Sequence, residues 1–170
     1  MKHGDSLLLA WQTTISRKGD DAAVFDATGR IARSFRDIEG HARAFEAKME
    51  LPPGAVVAVQ IGNHEDWPAV LIACLRKQLV VLPLDESIGE QQRDAALEIC
   101  RASALVSAVP GENSPQISRL RTADTTADWG ENVPSLLKLT SGTTAAPRAI
   151  RFRSHQLLAD CNQICDTMDI

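Results

Sequence analysis

Residues 136–155 read LLKLTSGTTAAPRAIRFRSH. Leu136, Leu137 and Leu139 open the stretch as a short apolar run, the signature of a buried strand. Thr140, Ser141, Gly142, Thr143 and Thr144 follow without one bulky side chain. Ala145, Ala146, Pro147 and Arg148 close a loop, and residues 149–152 return to strand-like character. Small residues let a backbone approach an anion closely. Hydroxyls and N–H groups can donate to its oxygens, and a guanidinium can pair with its charge. The stretch is therefore suited to holding phosphate between two strands. The same composition also describes a Ser/Thr/Gly surface turn, so the order of residues has to decide.

Competing motifs do not fit. The chain contains no GxxxxGK[ST] loop and no GxGxxG fingerprint. Ser141 lacks the preceding glycine of a GxSxG nucleophile elbow.

Working outward, apolar runs and amphipathic stretches alternate. Leu7, Leu8, Trp11 and Ile15 predict a helix over residues 5–17. Residues 22–26 and 31–35 flank Ala27-Thr28-Gly29-Arg30 and predict a β-hairpin. Ser34 with Asp37 reads as an N-cap for a helix whose apolar stripe is Phe35, Ile38, Phe45 and Met49. Residues 56–61, 79–84 and 104–109 read as buried strands. Between them lie a helix capped by Asn63, with Trp67, Val70, Leu71, Cys74 and Leu75 on one face, and a helix opened by Ser87 and Glu90 that runs to about residue 102. This succession predicts right-handed crossovers and a mainly parallel, doubly wound α/β sheet. Residues 110–135 are polar and turn-rich, with a short strand expected at 117–120, and Trp129 reads either as a buried plug or as an exposed contact. Ser154 is expected to cap a final helix carrying Leu157, Leu158, Cys161, Ile164 and Cys165.

At 170 residues, 44% hydrophobic and 24% charged, the chain is long enough for one domain with a core. A formal net charge of −4 offers no broad basic surface to nucleic acid. No apolar run reaches the length of a membrane span, and the N-terminus lacks a secretory apolar stretch, so a cytoplasmic location is expected. Cys74, Cys100, Cys161 and Cys165 match no usual zinc spacing even with His155, and read as reduced core thiols.

The hydroxyl-rich stretch resembles the phosphate-binding signature of the adenylate-forming (AMP-binding) superfamily, which includes acyl-CoA synthetases, luciferases and peptide-synthetase adenylation domains. That signature reads Thr-Ser-Gly-Thr-Thr-Gly-x-Pro-Lys, then a short strand and often Ser/Thr-His. Thr140, Ser141, Gly142, Thr143, Thr144, Pro147, Ser154 and His155 agree with it, while Ala145 replaces its Gly and Arg148 its Lys. Residues 34–45 (SFRDIEGHARAF) are similar to the family's early Thr-Tyr-x-Glu-Leu helix. Residues 75–85 (LRKQLVVLPLD) are similar to its Leu-Lys-Ala-Gly-x-x-x-x-Pro-Leu-Asp segment, with Lys77-Gln78 in place of Ala-Gly.

The resemblance implies that residues 1–170 are the N-terminal part of an adenylation domain. Thr140, Ser141, Gly142, Thr143, Thr144 and Arg148 would then hold ATP phosphates. It implies an ATP- and Mg2+-dependent ligase that joins a carboxylic acid first to AMP, then to a thiol of CoA or a carrier protein. The family's aromatic-Gly-x-Thr-Glu segment and its C-terminal subdomain have no counterpart here, and the chain contains no Tyr. The chain is accordingly expected to be inactive alone, as a fragment or truncated product, and to self-associate through exposed apolar surface. The alternative is a non-catalytic remnant of the fold acting in interaction or structure.

Overall fold

A computed structural model describes residues 5–120, 127–140 and 148–169. Helix α1 (Ser6–Lys18) is followed by a hairpin of β1 (Ala22–Phe25) and β2 (Ile31–Ser34), whose strands pair antiparallel as expected. Helix α2 (Phe35–Lys48) opens on a capping box. The Asp37 N–H donates to the Ser34 hydroxyl (3.1 Å), and the Ser34 N–H donates to the Asp37 carboxylate (2.8 Å).

The chain then alternates β3 (Val56–Gln60), α3 (Trp67–Arg76), β4 (Val80–Pro83), α4 (Glu90–Ile99) and β5 (Ala102–Ser107). Strands β6 (Gln116–Arg119), β7 (Leu136–Thr140) and β8 (Arg148–Phe152) and helix α5 (Ser154–Met168) complete it. The sheet order is β6-β5-β3-β4-β7-β8. Strands β5, β3, β4 and β7 run parallel, and antiparallel β6 and β8 close the two edges.

The period of two along the inner strands divides the core. Val57, Val59 and Val81 pack with Ile38, Phe45, Val70, Ala73 and Cys74 of α2 and α3 on one face. Val56, Ala58, Val80, Leu82 and Leu137 pack with Ala96 and Cys100 on the other, beside α4. The chain steps from β3 to neighbouring β4, then back across β3 to β5. Right-handed crossovers in opposite directions leave their helices on opposite faces, as α3 and α4 are. The expected mainly parallel, doubly wound sheet is thus present.

Four local expectations differ. Asn63 does not cap α3; Asp66 holds the N-cap position, its carboxylate engaged by Arg33 (3.3 Å) and His41 (2.6 Å). Ser87 forms no capping box with Glu90, because its hydroxyl and N–H both turn back to Asp85 (2.7 and 2.8 Å), and Gly89 is the N-cap. Helix α4 ends at Ile99, since Arg101 takes a left-handed φ of 51° and β5 begins at Ala102. Ser154 is the first residue of α5 rather than its cap, its hydroxyl bonded to Ser135 (2.7 Å) and Asp5.

Only two cysteines belong to the core: Cys74 and Cys100 are buried, but Cys161 is exposed and Cys165 half-buried. Burial pushes the Cys74 thiol up to about 12, so it stays protonated at neutral pH. Helix α5 lies against α1 and leaves Ile164 and Met168 exposed, as is Leu9 of α1. Among the described residues no helix is long and apolar enough to cross a membrane.

Candidate functional site

Three loops gather at the carboxyl edge of the parallel strands, where open α/β sheets place their ligands. The first follows β3. Gly62 there takes φ +55°, a left-handed conformation that favours glycine, and it packs beside the Glu86 side chain, which would have to shift to admit a Cβ. The second follows β4, where hydrogen bonds from Ser87 hold the Asp85 carboxyl below the usual carboxylate range. The Gln60 amide bridges the two, donating to the carbonyls of Asp85 (3.2 Å) and Ile88 (3.4 Å).

The third loop is the hydroxyl-rich stretch. Strand β7 runs parallel to β4, with Leu136 opposite Val81, and carries the chain to Thr140 at the same edge. Strand β8 returns antiparallel, setting Arg148 directly opposite Thr140. The Thr140 hydroxyl donates to the Arg148 carbonyl at 3.2 Å, tying the two ends together. Of the expected phosphate-binding residues, Thr140 and Arg148 are therefore adjacent. Ser141, Gly142, Thr143 and Thr144, together with Ala145 and Pro147, lie outside the described residues.

An apolar groove of about 790 Å3 opens beside this loop, between α4 and β7. Leu84, Ile88, Ile99 and Leu139 line it, and Thr140 lies at its end. The α4 side of the sheet is thus only partly covered, which a list of buried-strand residues does not reveal. Among the described residues no three His, Cys, Asp or Glu side chains gather to hold a metal ion.

Trp129 resolves as a plug with a polar tether. Its ring packs against the α4-side core, and its indole N–H donates to the Gly54 carbonyl at 2.7 Å. Gly54 stands at φ +83°, where a side chain is strained, and a Cβ there would sit a tight 3.2 Å from the Trp129 ring.

The model of the AMP-binding enzyme family matches residues 11–169. A hybrid PKS-NRPS synthetase, lepA, of Aspergillus flavus is 28% identical over 86% of this chain, which spans only 4% of that protein. The structure of VinN with 3-methylaspartate superposes with a TM-score of 0.76 at 17% identity, covering 99% of this chain and 53% of VinN. The N-terminal subdomain of Klebsiella oxytoca NpsA, in complex with anthranilyl-AMSN, gives 0.68 at 20% identity over 89% of this chain and 42% of that one. The chain thus spans about half or less of the proteins it resembles, and shares their α/β fold. With the family model matched across nearly its whole length, the chain belongs to the AMP-binding enzyme family.

Proposed function

We propose that residues 140–148 hold the β- and γ-phosphates of ATP in a carboxylate-adenylating ligase, and that this chain supplies that part of the site without completing the reaction. The observation that carries the reading is the pairing of Thr140 with Arg148 at the carboxyl end of a parallel strand. It fixes both ends of a loop of small hydroxylic residues where such sheets bind ligands. Small side chains leave backbone N–H groups open to phosphate oxygens, the hydroxyls of Thr140, Ser141, Thr143 and Thr144 add donors, and the Arg148 guanidinium offsets charge. When bound, Mg2+ supplies further charge neutralisation on the phosphates. Among the described residues no three His, Cys, Asp or Glu side chains gather, and the reading assigns Mg2+ no particular residue.

The overall chemistry is attack of a carboxylate on the α-phosphate, releasing pyrophosphate, followed by transfer of the acyl group to a thiol. The match to a PKS-NRPS synthetase and the likeness to an artificially fused Adenylation-PCP di-domain favour a carrier-protein thiol over CoA as acceptor. The apolar groove beside Thr140 and the exposed Leu9, Ile164 and Met168 favour self-association of the isolated chain. Sedimentation is expected to show weight-average mass rising with concentration; a single monomer throughout would refute this.

Pyrophosphate is the direct probe of the loop. Titration followed by amide chemical shifts is expected to move residues 140–148, with a dissociation constant near 1 mM, worth about 4 kcal/mol. Binding should weaken as salt rises. Arg148→Ala should weaken it about fivefold, the scale of one solvated charge-assisted contact. Absence of any shift at residues 140–148 under tens of millimolar pyrophosphate defeats the proposal and leaves an interaction or structural role.

A further inference from the structure

We infer that the chain carries a second anion site, for a small phosphate monoester, at the end of β7 opposite the hydroxyl-rich loop. A cleft of about 530 Å3 lies ahead of Leu136, lined by Trp129, Asn132, Arg151, Arg153, His155 and Gln156. It is independent of residues 140–148 and of their proposed role.

The positive charge there is assembled by the fold. Arg153 continues the extended backbone beyond β8, with φ −99° and ψ 156°. Two residues apart along an extended chain, Arg151 and Arg153 project from the same face. Arg151 lies opposite Leu137 and so belongs to the α4 side of the sheet, where Trp129 packs. Its guanidinium carbon sits 5.0 Å from the Trp129 ring centroid. That contact orients the guanidinium while leaving its N–H groups free to donate. His155 and Gln156, in the first turn of α5, complete the wall, and the Gln156 amide oxygen accepts the Arg153 N–H at 2.9 Å.

Several arginines of this chain are neutralised by nearby carboxylates. Arg30, Arg33, Arg36, Arg43, Arg76 and Arg93 all lie within salt-bridge distance of carboxylates. Arg151 and Arg153 have no such partner among the described residues, although Glu131 and Asp5 line an adjoining depression that shares Arg153 and His155. Two convergent guanidiniums suit a doubly charged phosphate, to which each can donate in a fork. A cleft of 530 Å3 is far larger than a bare phosphate, leaving room for an organic group beside the Trp129 edge and the Asn132 and Gln156 amides.

Glycerol 3-phosphate and inorganic phosphate, titrated separately at matched ionic strength, test the assignment. The readouts are the Trp129 indole N–H and the Arg151 Nε–H signals. Glycerol 3-phosphate is expected to shift both saturably, at least as tightly as inorganic phosphate does. Arg151→Gln and Arg153→Gln should each weaken binding about fivefold. Unchanged thermal melting in these exposed-site variants would show that the fold is intact, and in Arg151→Gln the response of Thr140 to pyrophosphate should persist. Response to inorganic phosphate alone would overturn the monoester assignment. Shifts that are linear and equal to those with chloride, or that survive in the double variant, would overturn the site.

Discussion

Leu137→Ala is expected to lower the unfolding free energy by about 3 kcal/mol, the usual cost of emptying a buried leucine site. Leu137 is only 2% exposed and belongs to the α4-side cluster with Val80, Leu82 and Leu84. Apart from its pairing with β8, its strand has few other ties to the parallel sheet. Strand β7 meets β4 through the Leu136–Val81 register and the 3.0 Å bond from the Val81 N–H to the Ser135 carbonyl. A cavity here therefore falls at the junction between the parallel sheet and the β7–β8 hairpin that presents Thr140 and Arg148. Urea unfolding at neutral pH measures the loss, and the melting temperature should fall by about 6–12 °C for a domain of this size. Leu137→Met conserves volume and should cost less than about 1.5 kcal/mol. A loss below about 1 kcal/mol for Leu137→Ala would mean that β7 is held by something other than this packing.

The central strands β3 and β4 were legible because each is almost wholly apolar. Residues 56–61 and 79–84 can only be buried on both faces, and β3 and β4 are. The hairpin followed from two short runs about a Thr-Gly turn, a local signal, and the strand near residue 117 from the length of the polar loop that contains it. Caps were less secure. Ser34–Asp37 formed its box, but Ser87–Glu90 did not, since Asp85 lies closer in sequence and captures the same hydroxyl. Asn63 lost the α3 N-cap to Asp66, whose carboxylate is taken by Arg33, 33 residues away. A capping motif states what a side chain can do; the folded chain decides which partner reaches it first. Gln78 is a related case. It occupies a left-handed turn at φ 55° after α3, where the resembled segment carries Gly.

The candidate site was legible in kind but not in extent. The order of hydroxyls and glycine after an apolar strand marked the loop, and the register of β7 with β8 explains how its ends are held. The half-covered α4 face, the Trp129 tether to Gly54 and the cleft of Arg151 and Arg153 were not anticipated. The first two depend on contacts 75 residues apart or on what fails to cover a face. The third left a trace in RFRS at residues 151–154, where two arginines at a period of two share a face of an extended strand. The same period that marks a returning strand also aligns these two charges.

Glu39→Gln is expected to destabilise the chain by about 2 kcal/mol at pH 7, with the difference vanishing in acid. Glu39 joins three helices. From α2 it accepts the Trp11 indole N–H of α1 (2.9 Å), the Arg76 guanidinium of α3 (2.7 Å) and Arg43 one turn along (2.9 Å). Burial alone would raise its pKa. Hydrogen bonds from Arg76, Trp11 and Arg43, with the Arg76 charge, outweigh burial and bring it from 4.5 down to about 2. A carboxyl depressed in the folded state releases its proton more readily there than in the unfolded chain. Its contribution is therefore complete above the unfolded value and is lost as pH falls from about 5 toward 2. The amide keeps one acceptor oxygen for Arg76 or Trp11 but not the charge, and its NH2 opposes Arg43. Urea unfolding of both proteins between pH 7 and pH 2.5 should give curves that converge at the acid end. Parallel curves across that range would show that the clamp acts through packing of the side chain and not through its charge.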